Sequence, residues 1–279
     1  MTANEKRLAK MRENLEALEK RAEAILEKGD AMTAADRMTL LFIVNIAYHT
    51  SGKIEGVFSV DGSASCEFCA KMRKAAEKAP LMICGYCYAA ADEWKEAAWR
   101  RHKLNARILS SVLFTADELS ALPIAGLLCR INEDGDIVNH IHAQNVLRIA
   151  ASRPSTNFGF WYKNAADVEK ALRLEGYTSR AALPNNVHFI HSSALIGVPA
   201  AELWFDDAIF TVWPDKATTE EAIKAGAHEC NGRKCAACGY KCYTMDRAAH
   251  AIHIAEYLRT NAARRAAVLK AYDEYVNRA

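Results

Sequence analysis

A chain of 279 residues that is 51% apolar and 25% charged has the make-up of a globular protein with a sizeable core. Its formal net charge of +2 gives no global pull toward nucleic acid or membrane, so any such preference must come from a local patch. The longest apolar run, at 40–44, is too short to span a bilayer, and the charged start lacks the apolar stretch of a secretory signal. These features predict a cytoplasmic protein with no membrane partner. In a reducing cytosol, Cys-x-x-Cys pairs read as metal-binding or redox-active rather than as structural disulfides.

Leu8, Met11, Leu15, Leu18, Ala22 and Ile25 recur at spacings of three and four, with charged residues between them. The seam suits either a helix packed along the body or a homodimer formed through residues 8–25. A capping box, Thr33-x-x-Asp36, opens a second helix through Met38, Leu41, Ile43 and Ile46 that closes near Gly52. Residues 1–50 are therefore expected as a helical segment. A short strand at 54–60 and an Asp61-Gly62 turn follow.

The cysteines come next. Cys66-x2-Cys69 and Cys84-x2-Cys87 are fourteen residues apart, and Cys230-x4-Cys235-x2-Cys238-x3-Cys242 lies far downstream. Two residues between cysteines let both sulfurs turn toward one centre, so each pair is a natural metal clamp. Eight of the nine cysteines thus fall into two groups of four, and Cys129, in mid-strand, reads as a small buried hydrophobe. Between the first two pairs lies a basic helical insert with Lys71, Arg73, Lys74 and Lys78. After Cys87 a helix is predicted over 88–113, with Trp94, Ala98, Arg101 and Asn105 at helical spacing. Its stretch from Trp99 through Arg100, Arg101, His102 and Lys103 to Arg107 is basic, either a solvated face or a contact for nucleic acid.

From residue 125 the pattern becomes strand and helix in alternation. Strands are predicted at 126–132, 157–162, 187–191 and 208–213, with a turn at Asp134-Gly135-Asp136 and helices at 139–151 and 165–174. This pattern implies a parallel sheet with right-handed crossovers, and four or five such units fit an open, partial βα barrel. One long helix, over 245–276, is expected to close the chain and to bring His250 and His253 onto one face. The predicted class is α/β: a partial barrel at 51–245 with two four-cysteine segments, flanked by the N-terminal helices and a C-terminal helix in 246–279.

In parallel α/β folds, sites lie at the carboxyl ends of strands. Those ends supply Arg130 and Asn132, Trp161 and Lys163, His191 with Ser192 and Ser193, and Trp213 with Asp215. Cys87, just past an early strand, could face the same mouth. Local spacing leaves the metal open. The first four cysteines approach the usual zinc spacing, whereas the second group is crowded like a ferredoxin run. Lys71, Arg73 and Lys74 beside one group, and Arg233, Lys234 and Lys241 beside the other, favour thiolate for either metal.

The segment 51–59, the Cys84-Gly-Tyr-Cys87-Tyr-Ala unit, the helix at 99–105, Arg130-Ile-Asn132-x-x-Gly135, Phe160-Trp-Tyr-Lys163 and the cysteine run at 230–242 resemble the phage-associated gene product 88 family. That resemblance covers about 50–245 and implies a shared architecture. The Cys84-Gly-Tyr86-Cys87 unit is also similar to the last half of the radical SAM motif. This second resemblance implies a [4Fe–4S] cluster at the mouth of a partial barrel, with S-adenosylmethionine on an open iron. This chain departs from it in two ways. Fourteen residues rather than three separate Cys69 from Cys84, and no Gly-Gly-Glu follows the next strand. The leading expectation is a redox or radical enzyme with two [4Fe–4S] clusters. The alternative is a protein with two zinc ions that associates with nucleic acid.

Overall fold

The structure, a computed structural model, describes residues 2–62, 67–87, 96–133, 135–230, 234–238, 242–244, 247–248 and 250–278. Cys66, Tyr88, Trp94, Asp134, Arg233 and Lys241, all named above, lie outside these residues.

Two helices open the chain, α1 (Ala3–Leu26) and α2 (Ala34–Ile43), each starting on a capping box, Thr2 with Glu5 and Thr33 with Asp36. The short strands β1 (Ala47–Tyr48) and β2 (Phe58–Val60) follow, then α3 (Glu67–Ala76), α4 (Glu96–Ser111) and α5 (Ala116–Leu119). The regular alternation then begins with β3 (Leu128–Ile131), α6 (His140–Ala151), β4 (Asn157–Tyr162) and α7 (Ala165–Leu174). It continues with β5 (Val187–Ser192), β6 (Ala208–Trp213), α8 (Lys216–Lys224), β7 (His228–Glu229), β8 (Ile252–Tyr257) and α9 (Ala262–Val276).

The eight strands form one open sheet in the order β1-β2-β3-β4-β5-β6-β8-β7. Every pairing is parallel except that of β1 with β2. From β2 to β6 each strand lies beside the next one in the chain, and side chains alternate between the two faces of the sheet. Phe158, Phe160 and Phe189 occupy one face and join Val146, Ile149, Val168 and Leu172 of α6 and α7 in the main core. All seven are fully buried, and burying each is worth about 1.5–3 kcal/mol. The opposite face carries Arg130, Gly159, Trp161, Ile190, Ala208 and Phe210 in paired register. Cys230 and Cys242 pack on it beside Trp161, Phe210 and Ile254, and Val212 of the same face joins α9 in a second apolar cluster.

Three sequence expectations need correction. α2 ends at Ile43 instead of running on to Gly52, because the Asn105 side chain accepts from Asn45 N at 2.7 Å and donates to Asn45 O at 2.8 Å. Both main-chain groups of Asn45 are thereby drawn out of the helical ladder. Within 54–60 only Phe58–Val60 is strand. The helix expected over 245–276 is two elements, β8 and α9, so His253 sits on a strand and His250 precedes it. Ile252 and Ile254, at strand period, pack with Ile190 and Ala208, and that burial outweighs the helical propensity of the alanines before them.

α1 uses Leu15, Ala22 and Ile25 as a buried stripe and packs against α4, leaving Leu8 and Leu18 exposed. Arg100 donates to Glu19 at 2.8 Å and Arg107 to Glu23 at 3.2 Å. Arg101 is exposed, and Lys103 lies over the Trp99 ring at 5.5 Å. Two cations of the basic stretch thus face the acidic side of α1. No described helix is long and apolar enough to cross a membrane.

Arg37 ties α2 to α5 by donating to Glu118, with the Nη2–Oε2 pair at 2.7 Å. That bond, with donors from Thr115, pulls the Glu118 carboxyl from its usual 4.5 to about 2. A folded-state pKa below the unfolded one stabilises the fold above the unfolded value and ceases to do so as pH falls through the folded one. The stability difference between the native protein and Arg37→Ala is therefore expected to be full at neutral pH. It should shrink as pH drops from about 4.5 toward about 2, as followed by urea unfolding at a series of pH values.

Candidate metal centres

The first cysteine group is positioned by two anchors. α3 carries Cys69, and the turn with Cys84 is stitched to the segment after β5, where Ile83 N donates to Ala194 O at 2.9 Å and Met82 bridges Leu195. Cys69, Cys84 and Cys87 line one small pocket together with Phe68, Arg73, Asp136 and Lys163. Lys163 follows β4 directly, so this pocket stands at a strand's carboxyl end. Asp136 is fully buried and accepts main-chain N–H groups from Ile137 at 2.7 Å and Lys163 at 2.9 Å. It thereby locks the loop after β3 to the end of β4. Burial holds the Cys84 thiol above its usual pKa, while Lys163 and Arg73 pull it down. A bound metal would need the thiolate, so loading this pocket releases protons.

The second group lies between β7 and β8, against the sheet face that carries Trp161 and Phe210. Cys230 N donates to Ala255 O at 2.8 Å and Cys235 N to Lys53 O at 2.7 Å. Cys230 and Cys242 pack with Trp161, Phe210 and Ile254, and Cys235 and Cys242 with Ile54, Val57 and Tyr243. The Tyr243 ring lies so close over Gly159 that a Cβ there would stand 2.8 Å from it, which only glycine accommodates. Burial pushes the Cys242 thiol up to about 12, and nearby Cys230, Cys235 and Cys238 add to the shift. Arg130 opposes it, and both Arg130 and Lys53 draw Cys235 the same way. All four sulfurs therefore share one electrostatic neighbourhood containing two cations.

The eight described cysteines are free thiols. Cys129 is buried, and its thiol is far above the usual range because it is desolvated. Among the described residues, the one trio of metal-type donors with all ligand atoms within 4.8 Å of one another is His49, Asp61 and Glu133. No trio of described cysteine sulfurs is among such groups.

The other residues singled out at strand ends divide. Lys163 joins the first cysteine pocket. Arg130 lies over the Trp161 ring at 4.6 Å, and the two belong with the second group. Asn132, at a φ of 61°, donates to Trp161 O at 3.0 Å and links β3 to β4. His191 is not brought to either group. It faces the helix side, stacked on Tyr162 and 3.2 Å from Asp206. Ser193 is buried, pairs with Thr211 at 3.0 Å and accepts from Ala200 N. Asp215 caps α8 by accepting from Thr218 N.

Sequence reasoning missed Asp136, whose partners lie in another βα unit. It also missed Lys53 as a neighbour of Cys230 and Cys235, since nothing in the spacing signals that approach. Compared with protein families, with curated proteins and with solved structures, the chain finds no match.

Proposed function

We propose that this chain is an iron–sulfur protein of partial-barrel, radical-SAM-like architecture that holds two [4Fe–4S]-type clusters and acts as a redox or radical enzyme. Cys69, Cys84 and Cys87, with Cys66 as a candidate fourth ligand, would hold one cluster. Cys230, Cys235, Cys238 and Cys242 would hold the other. The sequential order of the parallel strands from β2 to β6 supports the partial-barrel reading.

What carries the reading is that each cysteine group is gathered in one place beside two cations, with the second group crowded like a ferredoxin run. Lys163, Arg73, Arg130 and Lys53 would offset the anionic charge of two such clusters.

With three ligands the first cluster would keep one iron open, and Lys163 is the cation placed to receive an anionic group of S-adenosylmethionine or of another small molecule there. The zinc and nucleic-acid reading has less behind it, because Arg100 and Arg107 of its basic helix face Glu19 and Glu23. Visible absorption and electron paramagnetic resonance of anaerobic protein test the proposal. A brown protein that gains a resonance on dithionite reduction supports it, and a colourless, silent one carrying zinc contradicts it.

A further inference from the structure

We propose that His49, Asp61 and Glu133 form a binding site for a first-row divalent cation of the manganese(II) or iron(II) type, separate from both cysteine groups. His49 follows β1, Asp61 stands just past the end of β2, and Glu133 stands two residues past the end of β3. Asp61 and Glu133 thus stand at the carboxyl edge of the sheet, while His49, past the end of antiparallel β1 and beside Val57, reaches in with its side chain. Its ligand atoms, a ring nitrogen and two carboxylate oxygens, all lie within 4.8 Å of one another.

The local bonding aims these groups at a common point. His49 Nε2 is 3.1 Å from Glu133 Oε2 and 2.8 Å from Ser59 Oγ. Ser59 Oγ in turn donates to Asp61 Oδ2 at 2.6 Å. One imidazole nitrogen carries at most one proton, yet two oxygens sit at bonding distance from it, an arrangement that a cation with several open coordination positions would satisfy better. Glu133 N donates to Asp61 Oδ1 at 2.8 Å, which fixes the carboxylate's orientation as outer bonds do around metal ligands. His102, on α4, places its Nε2 3.9 Å from Asp61 Oδ2 and offers a second imidazole.

A second observation points the same way. Asn132, adjacent to Glu133, is 4% exposed, and its buried Oδ1 has no hydrogen-bond partner among the described residues. That oxygen faces Gly62, the residue after Asp61, and would stand 3.1 Å from a Cβ placed there. A buried carbonyl oxygen without a donor calls for an explanation such as a bound ion or water. One imidazole with two carboxylates favours manganese(II) or iron(II) over soft, thiolate-seeking metals.

The test titrates manganese(II) chloride into the full-length protein and follows the loss of the free-ion resonance. Manganese is chosen because thiolates compete poorly for it, so the outcome is independent of what the cysteines hold. One manganese per chain is expected, with affinity reduced at least about tenfold in Glu133→Gln and in His49→Gln. Cys87→Ala should bind manganese as the native protein does, so failure of the iron–sulfur reading would leave this result standing. Circular dichroism melts confirm that each variant is folded, with the near-isosteric Asp61→Asn as a replacement for one that is not. No binding at about millimolar manganese, or unchanged affinity in the folded variants, would overturn the proposal.

Discussion

Replacing Cys87 by alanine is expected to halve the iron of the purified protein, from about eight to about four atoms per chain, and to leave the second cluster's spectrum intact. Cys87 shares its pocket with Cys69, Cys84 and Lys163, and that pocket is built from α3, the turn at 83–86 and the ends of β3 and β4. The second group hangs instead from β7, β8 and the Lys53 main chain. Its cysteines pack among Trp161, Phe210, Tyr243 and Ile254. Nothing in that packing depends on the Cys87 sulfur. Iron analysis with absorption near about 400 nm would measure the loss. Simultaneous disappearance of both clusters would mean that the two groups form one structural unit, contrary to their separate anchoring.

The largest stability effect is expected at Asp207, which lies outside both cysteine groups. Its side chain is about 1% exposed and accepts from Arg247 Nε at 2.9 Å, Arg180 Nη2 at 3.3 Å and Phe189 N at 3.0 Å. Arg247 continues the network to the carbonyls of Leu183, Pro184 and Val187. This is where β5, β6 and β8 begin, for Ile252 N also donates to Asp207 O at 3.1 Å. Asp207→Ala would strand two guanidinium groups against a buried site, a loss that typically costs about 3–5 kcal/mol. For a chain of this length that corresponds to a fall of roughly 10 °C in Tm. Asp207→Asn, which keeps an acceptor for Phe189 N and removes the charge, should fall between. Equal Tm values for the native protein and Asp207→Ala would show that the network contributes nothing net.

How much of this was legible in the sequence depends on how local each signal is. β4, β6 and α7 coincide with the residues predicted for them because short apolar runs were bounded by turns or proline. The grouping of Cys84 with Cys87 and of Cys235 with Cys238 was legible for the same reason, since each pair is written within four residues. The rule that sites lie at carboxyl strand ends drew attention to Lys163, which the fold brings to the first pocket. It also named His191, whose side chain turns to the helix face, as strand alternation from Tyr162 and its neighbours dictates. β8 was hidden because Ala248 and Ala251 read as helix, and only the packing of Ile252 and Ile254 against β6 and its neighbours decides otherwise. His49, Asp61 and Glu133 come from three separate loops, so no spacing links them before the sheet aligns β1, β2 and β3.

The iron–sulfur account is tested most directly by counting metals. Protein purified without oxygen would be assayed for iron, acid-labile sulfide and zinc per chain. About eight irons with a matching number of sulfides is the result expected for two [4Fe–4S] clusters. About two zinc ions per chain, with no sulfide, would contradict it and leave the cysteines as structural zinc ligands.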